Sequence, residues 1–343
     1  MDKLKNADSM NRLRWNGRPG HYEVYYITLN HLESGSGFWI RYTMTAPEHS
    51  VGEAYSQLWF SYFNHGDPSR NFALKKKFPI EALKDDGTNF SLRIGDNELS
   101  GSHLRGVIEG NGHRAGWDLS HSGDEPVHLM MPKFLYLKEL ADTTAVCVYP
   151  DSRFHGSITI DGEKLDFNGD PGDQTHLWGE KHAQRWAWVH CNAFDGSPGS
   201  LLEGLSVQVV RGGFTTPPIN LFRLKHGGED YSFTEIPGIL RSSGSFDLGN
   251  WNFTSSSGNS MIKGEISCRA DDLVRADYLD PDGEEAFCHN TEVASCNISV
   301  YKRKNMFSAW TECNRLGAEK TCHVEFAGRT PDARVKKIIE DAD

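Results

Sequence analysis

The residues best suited to chemistry fall between Asp173 and Glu203. Asp173, Glu180 and Glu203 supply carboxyls, His176, His182 and His190 supply imidazoles, and Trp178, Trp186 and Trp188 stand among them. Carboxyls and imidazoles hold and move protons, and a carboxyl in apolar surroundings is a candidate acid because burial raises its pKa. Large apolar rings and titratable groups therefore share one short span, a mixture unusual for plain core.

The second half of the stretch alternates. Trp186, Trp188, His190 and Asn192 share one face of a strand, with Ala187, Val189, Cys191 and Ala193 on the other. The first face suits the wall of an apolar pocket with a few directed hydrogen bonds. It suits plain core equally, with His190 and Asn192 satisfied internally. Glu203 falls on a face otherwise built of Leu201, Leu205, Val207 and Val209, so it is either paired, with Arg211 or Arg185, or working. Glu180, beside Lys181, has the plainer alternative of a solvated loop charge.

The elements that must position these groups read as strands. Tyr22 to Leu29, Phe38 to Met44 and Tyr55 to Phe63 alternate with period two, and shorter pieces bounded by Gly, Asn, Asp or Ser continue to Met131. Asp161-Gly162 between Ser157-Ile160 and Glu163-Phe167 predicts a type I′ hairpin, since both central residues need positive φ. The breaker run Gly169-Asp170-Pro171-Gly172 is where a boundary is expected, giving domains of residues 1–172 and 173–343. Two domains suit a chain of 343 residues, because single cores stop growing near ~250–300. Thr330 as N-cap, Pro331 at the first helical position and Val335, Ile338 and Ile339 at helical spacing predict a short C-terminal helix.

Composition excludes some functions. A net charge of −11 argues against nucleic acid as a partner. Nowhere do ~18 apolar residues follow one another and the N-terminus has no apolar run, so the expectation is a cytoplasmic protein without stable membrane insertion. The seven cysteines contain no Cys-x-x-Cys pair and are expected as reduced, mostly buried thiols. Cys288-His289, Cys296, Cys313 and Cys322-His323 fit no common zinc spacing. His176, His182 and His190, six and eight residues apart, could serve a metal-dependent hydrolase only if folding gathered them. The expectation is no metal and no cofactor.

His176-Leu177-Trp178-Gly179 is followed by Trp186-x-Trp188-x-x-Cys191-Asn192-x-Phe194, an acid on the next apolar strand, and Cys322-His323-x-Glu325-Phe326-Ala327-x-Arg329. In this order the signals resemble the superfamily of tocopherol cyclase, the carotenoid 1,2-hydratases (hydroxyneurosporene synthases) and the AttH-like proteins. The resemblance implies an all-β chain of two lipocalin-like antiparallel β-barrels. It also implies an intramolecular cyclase, or a related isomerase or hydratase, acting on an apolar terpenoid or polyketide-like molecule, the cyclases and hydratases beginning with protonation of a carbon–carbon double bond. Trp178, Trp186 and Trp188 match the family's tryptophans and, with His190 and Asn192, are the expected substrate-binding residues. His176 matches the hydratase-type histidine and is the first catalytic candidate, followed by Glu180 and Glu203.

The family's carboxylate three residues before the Trp-Gly tryptophan is replaced here by Thr175, whose hydroxyl cannot protonate an alkene. The donor then falls to Asp173, Glu180 or Glu203, or the reaction is a pericyclic closure that needs no strong acid. The alternative from another class is a non-catalytic carrier of a hydrophobic small molecule.

Overall fold

The computed structural model describes residue 4 and residues 6–85, 87, 90–138 and 140–342. The chain is all-β, as the period-two patterns and the frequent turn signals require, and is organised as two large sheets, of 13 and 11 strands. The first runs, in ladder order, through Phe72–Pro79, Tyr55–Asn64, Ser36–Ala46, His21–His31, Glu163–Gly179, Thr143–Ile160, His113–Ser122 and His103–Gly110 to three short strands ending at Leu83–Asp85. The second runs from Glu229–Ser232 through Ile219–His226, Leu201–Gln208, Arg185–Cys191, Thr311–Gly328, Glu285–Lys302, Ser260–Ser267 and Asn250–Ser257 to Ser243–Asp247. All these neighbours pair antiparallel.

Each sheet curls around its own core in the lipocalin-like manner. In the first, Phe60 stacks on Trp117 at 5.5 Å and Phe72 on His113 at 4.2 Å, although their strands are far apart in the ladder. No ladder pairing among the described residues joins the two ends of either sheet, so the curl is held by side chains rather than by a closed ring of hydrogen bonds. The second core holds Phe222, Trp251, Phe253, Ile298 and Val324. A third apolar cluster lies between the sheets, where Tyr22, Tyr26, Trp39 and Trp59 of the first meet Trp186, Trp188 and Tyr278 of the second. Burying aromatic side chains is worth roughly 2–3 kcal/mol each, so this seam binds the sheets into one body.

The Asp161-Gly162 hairpin forms as the residues dictate, with φ of 49° and 90°. The Gly169–Gly172 run lies inside Glu163–Gly179, opposite register shifts in Thr143–Ile160, and the chain changes sheet only over 180–184. Breakers are tolerated there because bulges release the ladder locally. A Cβ on Gly172 would meet the Thr28 carbonyl oxygen at 2.3 Å, so glycine is what lets the neighbouring strand come close.

The expected C-terminal helix is not formed. Lys337–Ile338 pairs parallel with Val274–Leu279, and Glu340–Asp341 pairs parallel with Phe72–Pro79. Val335 and Ile339 are buried while Ile338 is 41% exposed, so the apolar residues do not act as one helical stripe. Covering an edge in each sheet satisfies backbone groups that a helix lying on the outside would leave open, and this tertiary gain outweighs local propensity. All seven cysteines are unpaired, five of them buried. Among the described residues no helix is long and apolar enough to cross a membrane.

Candidate functional site

Register builds the site. Arg185–Cys191 lies between Leu201–Gln208 and Thr311–Gly328, and His190 is the partner of both Glu203 and His323, which places three titratable side chains in a row across the second sheet. In the first sheet Thr28 pairs with Asp173 and Cys147 with Thr175, giving a facing row. The rows meet in the seam. None of Asp173, Thr175, Cys147, His190, Glu203, Glu292 and His323 exposes more than 2% of its surface.

Within the cluster, Nδ1 of His190 and Oε1 of Glu203 are 2.5 Å apart. Asp173 accepts a hydrogen bond from Thr28 Oγ1 and one of 2.9 Å from Thr175 Oγ1, with Cys147 Sγ at 3.5 Å. Asp173 lies two residues before Thr175, on the same strand face, and accepts from the Thr175 hydroxyl. His323 Nδ1 lies 2.6 Å from the same Thr28 hydroxyl, and its Nε2 donates to Asn30 Oδ1 at 2.8 Å. Thr28 Oγ1 touches both, so Asp173, Thr28 and His323 form one continuous polar line across the seam.

Burial and charge separate the pKa values. Burial would raise Asp173, but the His190 charge, the nearby His323 ring and the bond from Thr28 hold it below its ordinary value. Burial would lower His190, but Asp173 and Glu203 raise it to about 9. Glu203 is raised by burial, which His190 only partly offsets. Glu292 is pushed well above the carboxylate range by burial and by the charges of Asp173 and Glu325, and burial lowers His323 to about 4. This part of the seam holds four carboxyls, those of Asp173, Glu203, Glu292 and Glu325, against the cations Arg41 and His190. Burial raises Glu325 as well, so Glu203, Glu292 and Glu325 are all pushed toward their protonated forms.

The space beside the cluster is small. A void of about 10 Å³, enough for about one water, is lined by His128, Met130, Glu203, Leu205, Leu221 and Thr234. Oε2 of Glu203 and Nε2 of His190 have no hydrogen-bond partner among the described residues. The tryptophan face expected to open on a chamber meets the first sheet instead. Tyr26 packs edge-on against Trp188 at 5.5 Å, and Trp186 donates Nε1 to Glu325 Oε2 at 3.2 Å. The aromatic strands of the first sheet occupy the volume.

Of the residues singled out from sequence, Asp173, His190 and Glu203 come together, with Trp188 alongside. Glu203 pairs with His190 rather than with Arg211, which pairs with Asp142, or with Arg185, which donates to the Phe246 carbonyl. Asn192 donates to Asp151 Oδ1 and to the Gly172 carbonyl, and so ties one sheet to the other. Glu180 is exposed, its backbone N–H donating to Asp142. Trp178 packs with Met10 and Val146 under Arg14, away from the cluster. His176, His182 and His190 are not gathered, and His182 bonds Asp280. Thr28, Cys147, His128, Glu292 and His323 are the members that sequence reasoning missed. Only His323 carried a signal, as part of the late Cys-His motif.

His176 lies on the opposite face of its strand from Asp173 and Thr175. Its Nδ1 donates to the Met10 carbonyl at 2.7 Å and its Nε2 to Glu23 Oε1 at 2.9 Å, while the ring stacks on Tyr25 at 4.1 Å. Glu23 also accepts from the backbone of Arg14 and Trp15 and from Tyr25. Burial alone would raise Glu23, but the bonds from His176, His21 and Arg14 lower it from 4.5 to about 2. A depressed carboxyl contributes stability above its unfolded pKa and loses it as pH falls through the folded value. We predict that Glu23→Gln costs about 3 kcal/mol at neutral pH and that the gap to wild type closes between about pH 4.5 and 2, read from urea unfolding across that range.

Cys147, Asp173, His190 and Glu203 each offer one ligand atom, all within 4.8 Å of one another, and form the group among the described residues that could hold a metal.

A sequence profile described as tocopherol cyclase-like matches residues 142–328. An uncharacterised protein of Mycobacterium tuberculosis is 25% identical over 292 residues, covering 84% of this chain and 83% of that one. A chloroplastic tocopherol cyclase of Zea mays is 29% identical over 105 residues, covering 30% of this chain and 21% of that protein. Among solved structures, a protein of Nitrosomonas europaea described as AttH is similar with a TM-score of 0.52 at 13% identity, covering 90% of this chain and 93% of that chain. That last likeness is one of fold.

Proposed function

Since the chain belongs to the tocopherol cyclase-like family, we propose that it is a cyclase- or hydratase-type enzyme that protonates a carbon–carbon double bond of an apolar terpenoid or polyketide-like molecule. The observation that carries this reading is the meeting of Asp173, His190 and Glu203, from both sheets, in a buried seam. A carrier gains nothing from burying carboxyls, which are costly to desolvate. A reaction that makes a carbocation needs an acid in a dry, aromatic setting.

Glu203 is the donor. Its Oε1 is engaged by His190, its Oε2 is free, and its neighbours at the void include Met130, Leu205 and Leu221. The proton passes from Glu203 to one alkene carbon, leaving positive charge on the other. A hydroxyl of the same molecule then forms the new C–O bond and returns its proton to Glu203, giving a cyclic isomer; capture by water instead gives a hydrate. Trp188 presents an indole face beside His190. Because the void is small, a substrate must displace part of its lining, to which His128 and Met130 belong. Their segment is clipped to the second sheet by Glu125, which pairs with Arg223 and Lys225.

The test is incubation of the protein in D2O with a panel of prenylated phenols and isoprenoid alkenes, followed by mass spectrometry. The expected result is an isomer or hydrate carrying one deuterium on carbon. Folded protein that binds these compounds yet places no deuterium on carbon would overturn the reading.

A further inference from the structure

We infer that Cys147, Asp173, His190 and Glu203 form a binding site for a divalent transition metal of the zinc class, which takes the place of the protons in the seam. The four donors come from four strands, two in each sheet, and their ligand atoms lie within 4.8 Å of one another. A thiolate, an imidazole and two carboxylates are ligands that zinc accepts, whereas the sulfur and nitrogen disfavour magnesium or calcium. Tetrahedral zinc with bonds of 2.0–2.3 Å needs its ligand atoms roughly 3.5 Å apart, so side-chain shifts of about 1 Å complete the shell.

Two independent features point to an absent ligand. Nε2 of His190 and Oε2 of Glu203 are buried without hydrogen-bond partners among the described residues, a costly arrangement that a coordinated ion would relieve. Asp173 also already has the outer hydrogen bonds that orient a metal-bound carboxylate, from Thr28 and Thr175. The ion would bridge the two sheets.

The inference goes beyond the proposed reaction but shares its residues. A Glu203 carboxylate bound to zinc has no proton to give, so metal and proton transfer exclude each other and zinc is an inhibitor or a regulator of that chemistry. Binding of the ion is measured without substrate, which keeps the two readings apart.

The experiment equilibrates metal-stripped, folded protein with zinc chloride, removes free ion by gel filtration and measures bound zinc, with cobalt(II) as a spectroscopic substitute. Wild type is expected to retain about one zinc per chain and to show a thiolate-to-cobalt charge-transfer band. Cys147→Ser should lose the band, and Cys147→Ser and His190→Ala should each retain about a tenth of the zinc or less, since losing a ligand costs at least as much as the 10–100-fold of an outer-shell change. Cys313→Ser, at an exposed thiol, should bind as wild type does. If His190→Ala or Cys147→Ser does not fold, Glu203→Gln supplies the same comparison.

Wild type retaining less than about a tenth of an equivalent, or Cys147→Ser matching wild type in metal and spectrum, would overturn the site. Zinc retention without deuterium uptake by the metal-free protein would defeat only the proposed reaction; uptake without zinc retention would defeat only the metal site.

Discussion

Glu203→Gln is expected to reduce deuterium transfer to carbon by about 10²–10⁴-fold while leaving the chain folded. Glutamine has the shape of glutamate, and its amide oxygen can still accept from His190 Nδ1, which lies 2.5 Å from Oε1 in the native protein. What it lacks is a proton that can be released to an alkene. The seam should therefore keep its packing, and the urea midpoint should move much less than the rate. Asp173→Asn should also slow the reaction, because His190 would lose one of the two carboxylates that hold its charge. Binding of an apolar substrate should persist in both variants, since neither removes an apolar contact. Turnover above about a tenth of wild type in Glu203→Gln would exclude Glu203 as the general acid, given the usual size of that contribution.

Much of this arrangement can be read from residue order, and the parts that cannot have physical causes. Trp186, Trp188, His190 and Asn192 declare their shared face through period two, and Glu203 declares its oddity by interrupting an apolar face; in the structure His190 and Glu203 are direct cross-strand partners. The same rule applied one strand earlier would have separated Asp173 from His176. Residues 173 and 176 differ by an odd number, so they point to opposite faces and cannot serve one site. The proximity of His176 to Trp178 in sequence concealed this. Thr28 and Cys147 come beside Asp173 through strand pairings within the first sheet, and Glu292 through the meeting of the two sheets; local pattern contains no trace of either. The C-terminal segment failed differently: Val335, Ile338 and Ile339 fit a helix, but two exposed sheet edges offered hydrogen bonds that local spacing could not reveal.

The seam's tightest point gives the second large effect. Gly37, on Ser36–Ala46, faces Glu292 on Glu285–Lys302, and a Cβ built at position 37 would lie 2.5 Å from the Glu292 Cβ and 2.9 Å from its carbonyl oxygen. Neither neighbour is the far end of a flexible side chain, so Gly37→Ala can be accommodated only by parting the sheets or bending a strand. Overpacking of this kind typically costs about 1–3 kcal/mol, and a contact with backbone on one side belongs at the upper end. Gly52→Ala is the matched control, because nothing lies within 4 Å of its Cβ position; it should stay within about 1 kcal/mol of wild type. The damage should not stop at stability. Glu292 lies 3.6 Å from His323 Nδ1, and Asn30, which bonds His323, donates to the Glu292 carbonyl. Displacing Glu292 therefore shifts the line from His323 through Thr28 to Asp173. Urea unfolding and deuterium transfer measured on the same two variants should show Gly37→Ala losing both and Gly52→Ala losing neither. Equal stability of the two would mean that the sheets do not approach at Gly37 as closely as the packing of the seam demands.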